Sequence, residues 1–506
     1  MSFSGITQDG RIKFSRLNSV LIASFMVLAG VMSLGSCTMG SESDAITIAD
    51  SNVRAAINSQ LNQSADAKIS RTQAKSITAI HVDGSMYKVT GTTDLSGIEN
   101  FVNLEQVYLG QLKIEKVEPL KSLTKITDLN LTSNDITDAS PLENLTQLTY
   151  LSLSDNEISN IDSLAKLTKL ESLILGHNQV ASAAPLSKLT GLTSLRLENN
   201  GMSDLSPLAN LTKLESLDVS NNSVNSLTPL AGLARLTSLG FAGNNFSKIS
   251  QIEDFTNLEN VDLSNNKISD IAPLAKLTRL TDVRLSRNTV ANAAPLAKLT
   301  KLERLEMDRN AISSLTPLAN LTQLRDVSLA HNSISDLTPL AELTNLESLA
   351  LDNNAITSVA PLANLGQLES LSLNHNAITS LSSLSNHQRL EHLGVKNNKI
   401  ASIAPLAKLK ELALLDASDQ QITLQNAGPN TWIENPLRDI SGSVVTVKST
   451  SSGFASDKDS MQWRFTRVGA KEITWSTKVG TKYFAPSDTD QDAPARFSGT
   501  IVQKVQ

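Results

Sequence analysis

Three groups of side chains in this 506-residue sequence have types and spacings that could do chemistry. His177, His331 and His375 share one phase of a 22-residue spacing, as metal ligands on stacked turns would. The nearest two are two turns apart, about 10 Å at roughly 4.8 Å per strand, too far to share an ion. Asp488, Asp490 and Asp492 have the one-three-five spacing of a calcium loop. Ala493 stands where that turn needs glycine, however, and Gly499 where a bidentate glutamate belongs, so a polar loop is expected instead. The third group is Asp282, Arg284, Arg287, Arg304, Glu306, Asp308 and Arg309. At a spacing of 22, stacked strands put Arg284 beside Glu306 and Asp282 beside Arg304. Such a patch either neutralises itself on a solvated face or forms the footprint of a partner. No nucleophile with a partnered histidine, phosphate-cradling glycine loop or paired carboxylates in a cleft can be found. The expectation is a binding protein with no catalytic residue, no metal and no cofactor.

The single cysteine, Cys37, offers covalent chemistry of another kind. Arg11, Lys13 and Arg16 precede an apolar run from Val20 to Gly35, shorter than the roughly 20 residues a spanning helix needs. The run ends in Leu34-Gly35-Ser36-Cys37, which resembles a bacterial lipoprotein signal cut before a cysteine that receives diacylglycerol. Residues 1–36 are therefore read as a signal peptide and 37–47 as a tether. The mature protein is expected outside the cytoplasm, lipid-anchored to the cell membrane or outer membrane and surface exposed. One cysteine also excludes an intramolecular disulfide and a cysteine-based zinc cluster.

The elements that would position these residues are repetitive. The hydrophobic class makes up 40 % of the chain but aromatics only 4 %, so the core is aliphatic. A formal net charge of −6 leaves no basic field for nucleic acid, which is not expected as a partner. Asparagine recurs every 22 residues at Asn134, Asn156, Asn178, Asn200, Asn222, Asn244, Asn266, Asn288, Asn310, Asn332, Asn354, Asn376 and Asn398. Around each runs the frame seen in Leu346, Leu349, Leu351, Asn354, Ile356, Val359, Pro361, Leu362 and Leu365, which is that of a leucine-rich repeat. Leu349 and Leu351 alternate with Ser348, Ala350 and Asp352, so a short strand turns leucines inward and small or polar residues outward. The asparagine amide, with two donors and an acceptor, can form a ladder between neighbouring turns. A proline column from Pro119 to Pro405 suits a tight turn or 3₁₀ return on the outer side.

A single repeat buries too little to fold alone, so the turns must stack and the ends need caps. The frame extends over about 15 turns within residues 91–424, with Leu112 and Gln420 in the asparagine column at its two ends, read as transitions to caps. The inner sheet of such a horseshoe would run about 65 to 70 Å at roughly 4.8 Å per strand. Residues 48–90 read as a helical amino-terminal cap, with Asp50 or Ser51 as an N-cap and a second pattern at Ile69, Ala74 and Ile77. Residues 425–506 hold Trp432, Trp463 and Trp475 with Phe454, Phe465, Tyr483, Phe484 and Phe497, a core of their own. Alternation in Val445/Val447, Trp463/Phe465 and Ile473/Trp475 reads as a small β-sandwich.

The words “NKISDIAPLAKLT” from Asn266, “ENPLRDISGSVV” from Glu434 and “ARFSGTIVQ” from Ala495 resemble the internalin family of bacterial surface proteins. The resemblance implies a leucine-rich repeat solenoid, a helical cap and a carboxyl-terminal immunoglobulin-like β-sandwich. It also implies a monomer that presents its concave sheet to a protein ligand, in some members a host surface protein. The sequence departs from the family in its lipoprotein signal and in having no Leu-Pro-x-Thr-Gly sorting signal. An alternative role is therefore an envelope scaffold binding the cell's own wall, glycan or secretion machinery. Besides the charged turns, Tyr108 and Tyr150 are candidate aromatic anchors near the amino-terminal end. Phe241, Phe246, Ile249, Ile252 and Phe255 occupy inward columns and read as repacked core. His387 stands in a leucine column and reads as a local irregularity.

Overall fold

A computed structural model describes residues 44–506 apart from 88, 90, 458 and 480–494. The signal segment, Cys37, the Asp488, Asp490 and Asp492 triplet, Tyr483 and Phe484 lie outside the described residues. From Ile46 onward the chain packs as one compact unit, with Ile46 and Ile48 already buried.

Two helices start it. In Ser51–Gln60 the Asp50 carboxylate accepts from the backbone N–H groups of Asn52 and Val53, satisfying two donors that a helix start leaves free, while Val53, Ala56 and Ile57 face the core. Arg71–Ser76 opens with a capping box between Ser70 and Gln73. The strand Ala79–Asp83 follows and begins the main sheet.

That sheet holds sixteen parallel strands in chain order, from Ala79–Asp83 to Leu414–Thr423. Neighbours in the repeats pair at a constant offset, Leu239 with Val261 and Leu305 with Val327, because each repeat is one turn. The middle residue of each short strand is buried and its flanking residues face out, as in Ser172–Ile174 and Arg304–Glu306. The chain returns over the convex side in 3₁₀ turns such as Ala272–Lys276 and Thr316–Leu318, most with proline in the first turn, where a missing N–H costs nothing. Phe241, Phe246 and Phe255 are fully buried, Phe241 meeting Phe246 edge-on at 5.1 Å.

The asparagine column works as a ladder. Asn354 Nδ2 donates to the carbonyls of Leu351 in its own turn and Leu329 in the previous one, and its Oδ1 accepts from Ile334 N. At the amino-terminal end Asn134 reaches back in the same way to Leu109 O, Leu112 N and Ile114 N. At the other end Gln420 is a full rung: its Nε2 donates to Val395 O and Ala417 O, and its Oε1 accepts from Ile400 N. Where Leu414–Thr423 pairs with Arg496–Val505, the register shifts between Ala417 and Gln420.

The carboxyl-terminal region has two antiparallel sheets, an immunoglobulin-like arrangement. One is formed by Ile433–Glu434, Gln462–Phe465 and Phe454–Ser456; the other by Gly469–Lys478 and Arg496–Val505. Its core is not separate. Arg496–Val505 runs parallel along Leu414–Thr423, so one of the two sheets continues the solenoid, and Trp463, Trp475 and Phe497 join the same apolar cluster as the leucines. Among the described residues no helix is long and apolar enough to cross a membrane.

Candidate binding face

The outward face of the parallel sheet is set by the first and third residue of each strand. Along the strands from Asp128–Asn130 to Leu414–Thr423 these positions carry Asp128, Asp218, Asp262, Asp282, Glu306, Asp326 and Asp416 against Arg196, Arg284 and Arg304. The face is therefore acidic, with its guanidinium groups held in local pairs.

The charged turns come together as their spacing predicts. Arg284 lies 3.3 Å from Asp282 Oδ2 and 3.2 Å from Glu306 Oε1, and Arg304 Nε donates to Asp282 at 2.8 Å. Asp308 accepts from Ser328 Oγ and the Ala330 N–H, each at 2.7 Å. Only 9 % of the Asp282 side chain and 14 % of Arg284 are exposed, so these groups neutralise one another below the surface. Arg287 and Arg309 are exposed. They occupy the left-handed position that precedes each ladder asparagine, with φ of 57° and 53°.

His177, His331 and His375 fill the same left-handed position in other turns, each with φ of 56°. Asn, Asp and His tolerate that conformation better than most residues, which accounts for the histidine column without a ligand. Each ring Nε2 faces an asparagine Nδ2 of the next turn, at 3.1, 3.5 and 3.3 Å from Asn199, Asn353 and Asn397. His387 is buried in its leucine column, its ring nitrogens 3.2 and 3.0 Å from the carbonyl oxygens of Leu384 and Leu362.

Tyr108 and Tyr150 are both half-buried on the outward face. Tyr108 meets His81 edge-on at 4.5 Å. Tyr150 lines a hollow of about 320 Å³ together with Asn130, Ile174, His177, Arg196 and Glu198. Arg196 and Glu198 pair at 2.8 Å. The Glu198 carboxylate lies over Gly176, where a Cβ would come within 2.5 Å of it, so only glycine leaves that space. The sequence reading passed over Arg196, Glu198, Asp218, Asp262 and Asp326. Their phase in the repeat was the available signal, since they share columns with Arg284, Glu306, Asp308 and Asp282.

Burial shapes the titration of this face. It pushes the Glu306 carboxyl up to about 7, against the opposing pull of Arg284 and with help from Asp282, Asp262 and Asp308. Burial also raises Asp262, Glu198 and Asp326. A carboxyl that titrates higher in the folded than in the unfolded chain makes the folded state bind more protons between the two values. Stability contributed by Glu306 is thus present below its ordinary value of 4.5 and lost as pH rises through about 7. The melting temperature is expected to fall between pH 5 and pH 8. Glu306→Gln should flatten that fall by removing pH-dependent stability on the order of 2 kcal/mol. Thermal unfolding followed by circular dichroism across this range checks it, and an unaltered slope in the variant would refute the assignment.

Comparison with known proteins follows the same architecture. The family model described as “Leucine Rich repeats (2 copies)” matches residues 124–166, 146–190, 168–210, 190–233, 234–276, 322–364 and 366–408. No curated protein matches. Among solved structures, an internalin (inlF) from Listeria monocytogenes is 35 % identical with a TM-score of 0.60, the match covering 63 % of this chain and 94 % of that one. The functional domain of InlJ from Listeria monocytogenes is similar in fold at 20 % identity and a TM-score of 0.61, covering 91 % of this chain and 97 % of that one. A leucine-rich repeat protein of Leptospira interrogans matches at 23 % identity and a TM-score of 0.61, covering 68 % of this chain and 91 % of that one.

Proposed function

Because this chain belongs to the internalin family of leucine-rich repeat proteins, we propose that it is a surface protein, anchored through a lipid on Cys37, that binds a protein ligand on the outward face of its parallel sheet. The observation that carries this reading is the regularity of that face. The repeats from Asp128–Asn130 to His392–Gly394 keep one register with no insertion, so side chains 22 residues apart form continuous columns open to a partner. A binding role, not an enzymatic one, suits a sheet whose charged groups are mostly tied to one another.

Within the charged turns the footprint is proposed to use Arg287 and Arg309. They are exposed, whereas Asp282, Arg284 and Arg304 hold each other in place and set the surface around them. Reversing Arg284 or Arg304 would place a second carboxylate against that of Asp282 and disturb the sheet itself. The informative variant is therefore Arg287→Glu with Arg309→Glu, which changes charge where solvent already reaches.

A soluble fragment of residues 44–506, which holds the whole compact unit from Ile46 and lacks the signal segment and Cys37, is the reagent for the test. Its binding to foreign cells and to envelopes of the producing bacterium would be compared by flow cytometry and sedimentation. Saturable, protease-sensitive binding to foreign cells that weakens at least tenfold in the double arginine variant supports the reading. Binding confined to the producer's own envelope and unaffected by the variant favours an envelope scaffold and refutes it.

A further inference from the structure

The hollow beside Tyr150 is built differently from the rest of the sheet face. Most first and third strand positions carry serine, asparagine, glycine or a charged group, but here Tyr150 and Ile174 present an aromatic ring and an aliphatic side chain. On the next strand, directly beside Ile174, stands Arg196, paired with Glu198, which is only 8 % exposed. Arg196 Nε and Glu198 Oε2 are both buried without a hydrogen-bond partner. A donor and an acceptor thus remain unsatisfied within one ion pair, at a cost of about 1–3 kcal/mol each. The Asn130 amide, the Thr132 and Ser152 hydroxyls, which bond each other at 2.7 Å, and Ser154, Asp155 and His177 complete the lining. A volume of about 320 Å³ is at the lower end of ligand pockets.

We propose that this hollow binds a neutral pyranose unit of a glycan. A pyranose ring has an apolar C–H face that fits against Tyr150 and Ile174. Its adjacent hydroxyls each donate and accept, which matches a donor and an acceptor presented together by Arg196 and Glu198. Other ligand classes fit less well. A cation entering the hollow faces Arg196, an anion faces Glu198 and Asp155, and an aliphatic group leaves the buried donor and acceptor unsatisfied. Both atoms are covered in the free protein, so a turn of the paired side chains toward the opening accompanies binding. Gly176 holds the room for that pair, since any larger residue would displace the Glu198 carboxylate.

The sugar could belong to a foreign cell or to the producer's own envelope, and the experiment separates the two. The soluble fragment of residues 44–506 would be titrated calorimetrically with neutral oligosaccharides of animal-cell type and with polysaccharide purified from the producing bacterium. A sialylated oligosaccharide and a lysine-rich peptide serve as charged comparisons. Saturable binding to a neutral sugar from either source is expected, at least tenfold weaker in Tyr150→Ala and in Asn130→Ala. Asn130→Ala removes an amide from the half-exposed surface, so it remains informative if Tyr150→Ala folds poorly. The double variant at Arg287 and Arg309 should bind the sugar like the parent, which keeps this site distinguishable from the protein footprint. Absence of binding to neutral sugars, preference for either charged ligand, or parental affinity in a folded Asn130→Ala and Tyr150→Ala would overturn the proposal.

Discussion

Asn288→Ala is expected to lower the unfolding free energy by about 2 kcal/mol. Asn288 is 8 % exposed. Its Nδ2 donates to Leu263 O at 2.9 Å and Leu285 O at 3.0 Å, and its Oδ1 accepts from Ile268 N at 2.9 Å. Alanine leaves the Ile268 N–H without a partner, away from water, and takes one of two amide donors from Leu263 O and Leu285 O, which keep those of Asn266 and Asn310. An orphaned group of this kind costs about 1–3 kcal/mol. The loss falls on the contact between repeats, which is what makes a solenoid cooperative. Urea unfolding should show a lower midpoint and a transition that broadens or divides, as the turns on either side of the break uncouple. A change below about 0.5 kcal/mol, the size of an ordinary surface substitution, would show that the ladder does not carry this load.

Gly499→Val is expected to separate the carboxyl-terminal region from the last repeat. Gly499 pairs with Gln420 on one side and Trp475 on the other. A Cβ there would come within 2.1 Å of Gln420 O and 2.7 Å of the Trp475 ring. The first contact is with backbone, which cannot turn aside, so the strand Arg496–Val505 must move off Leu414–Thr423. Overpacking of this kind costs about 1–3 kcal/mol and often more when backbone is involved. Moving that strand also uncovers the edge of the last repeat, including the Gln420 rung, and bare parallel edges promote association. Limited proteolysis should release a carboxyl-terminal fragment from the variant under conditions that leave the parent intact, with soluble aggregates visible by light scattering. Parental resistance and an unchanged melting temperature would refute the close approach at this glycine.

Both expectations concern one structural device, a sheet whose turns are joined by the asparagine ladder and closed at one end by a strand from elsewhere in the chain. The first half of the device was legible in the sequence and the second was not. A repeat of constant length converts a distance along the chain into a neighbour in space, because residue i and residue i + 22 occupy the same place on successive turns. That relation sets Arg284 beside Glu306, and Asp282 beside Arg304, by spacing alone. It also assigned the leucine columns to the interior and the ladder to asparagine, since only an in-register parallel stack repeats each contact at one spacing.

Tertiary structure decided whatever the repeat spacing does not encode. Strand Arg496–Val505 pairs with Leu414–Thr423 across 79 residues of non-repeating chain, at Asp419 N and Ser498 Oγ for example, and no local pattern announces so distant a partner. Gln420 serves as a rung because its side-chain amide reaches Val395 O, Ala417 O and Ile400 N, the groups an asparagine reaches in the other turns, which only the folded geometry reveals. The histidine column followed from a left-handed turn, which is a property of backbone torsions. The hollow beside Tyr150 arose from the sizes of side chains on several strands together, with Gly176 leaving the space that Glu198 fills. The sequence by itself therefore determined the solenoid, its core and its ladder, because those contacts recur at a fixed interval. Only the folded chain decided the closing strand and the binding hollow, because those contacts occur once and depend on shape.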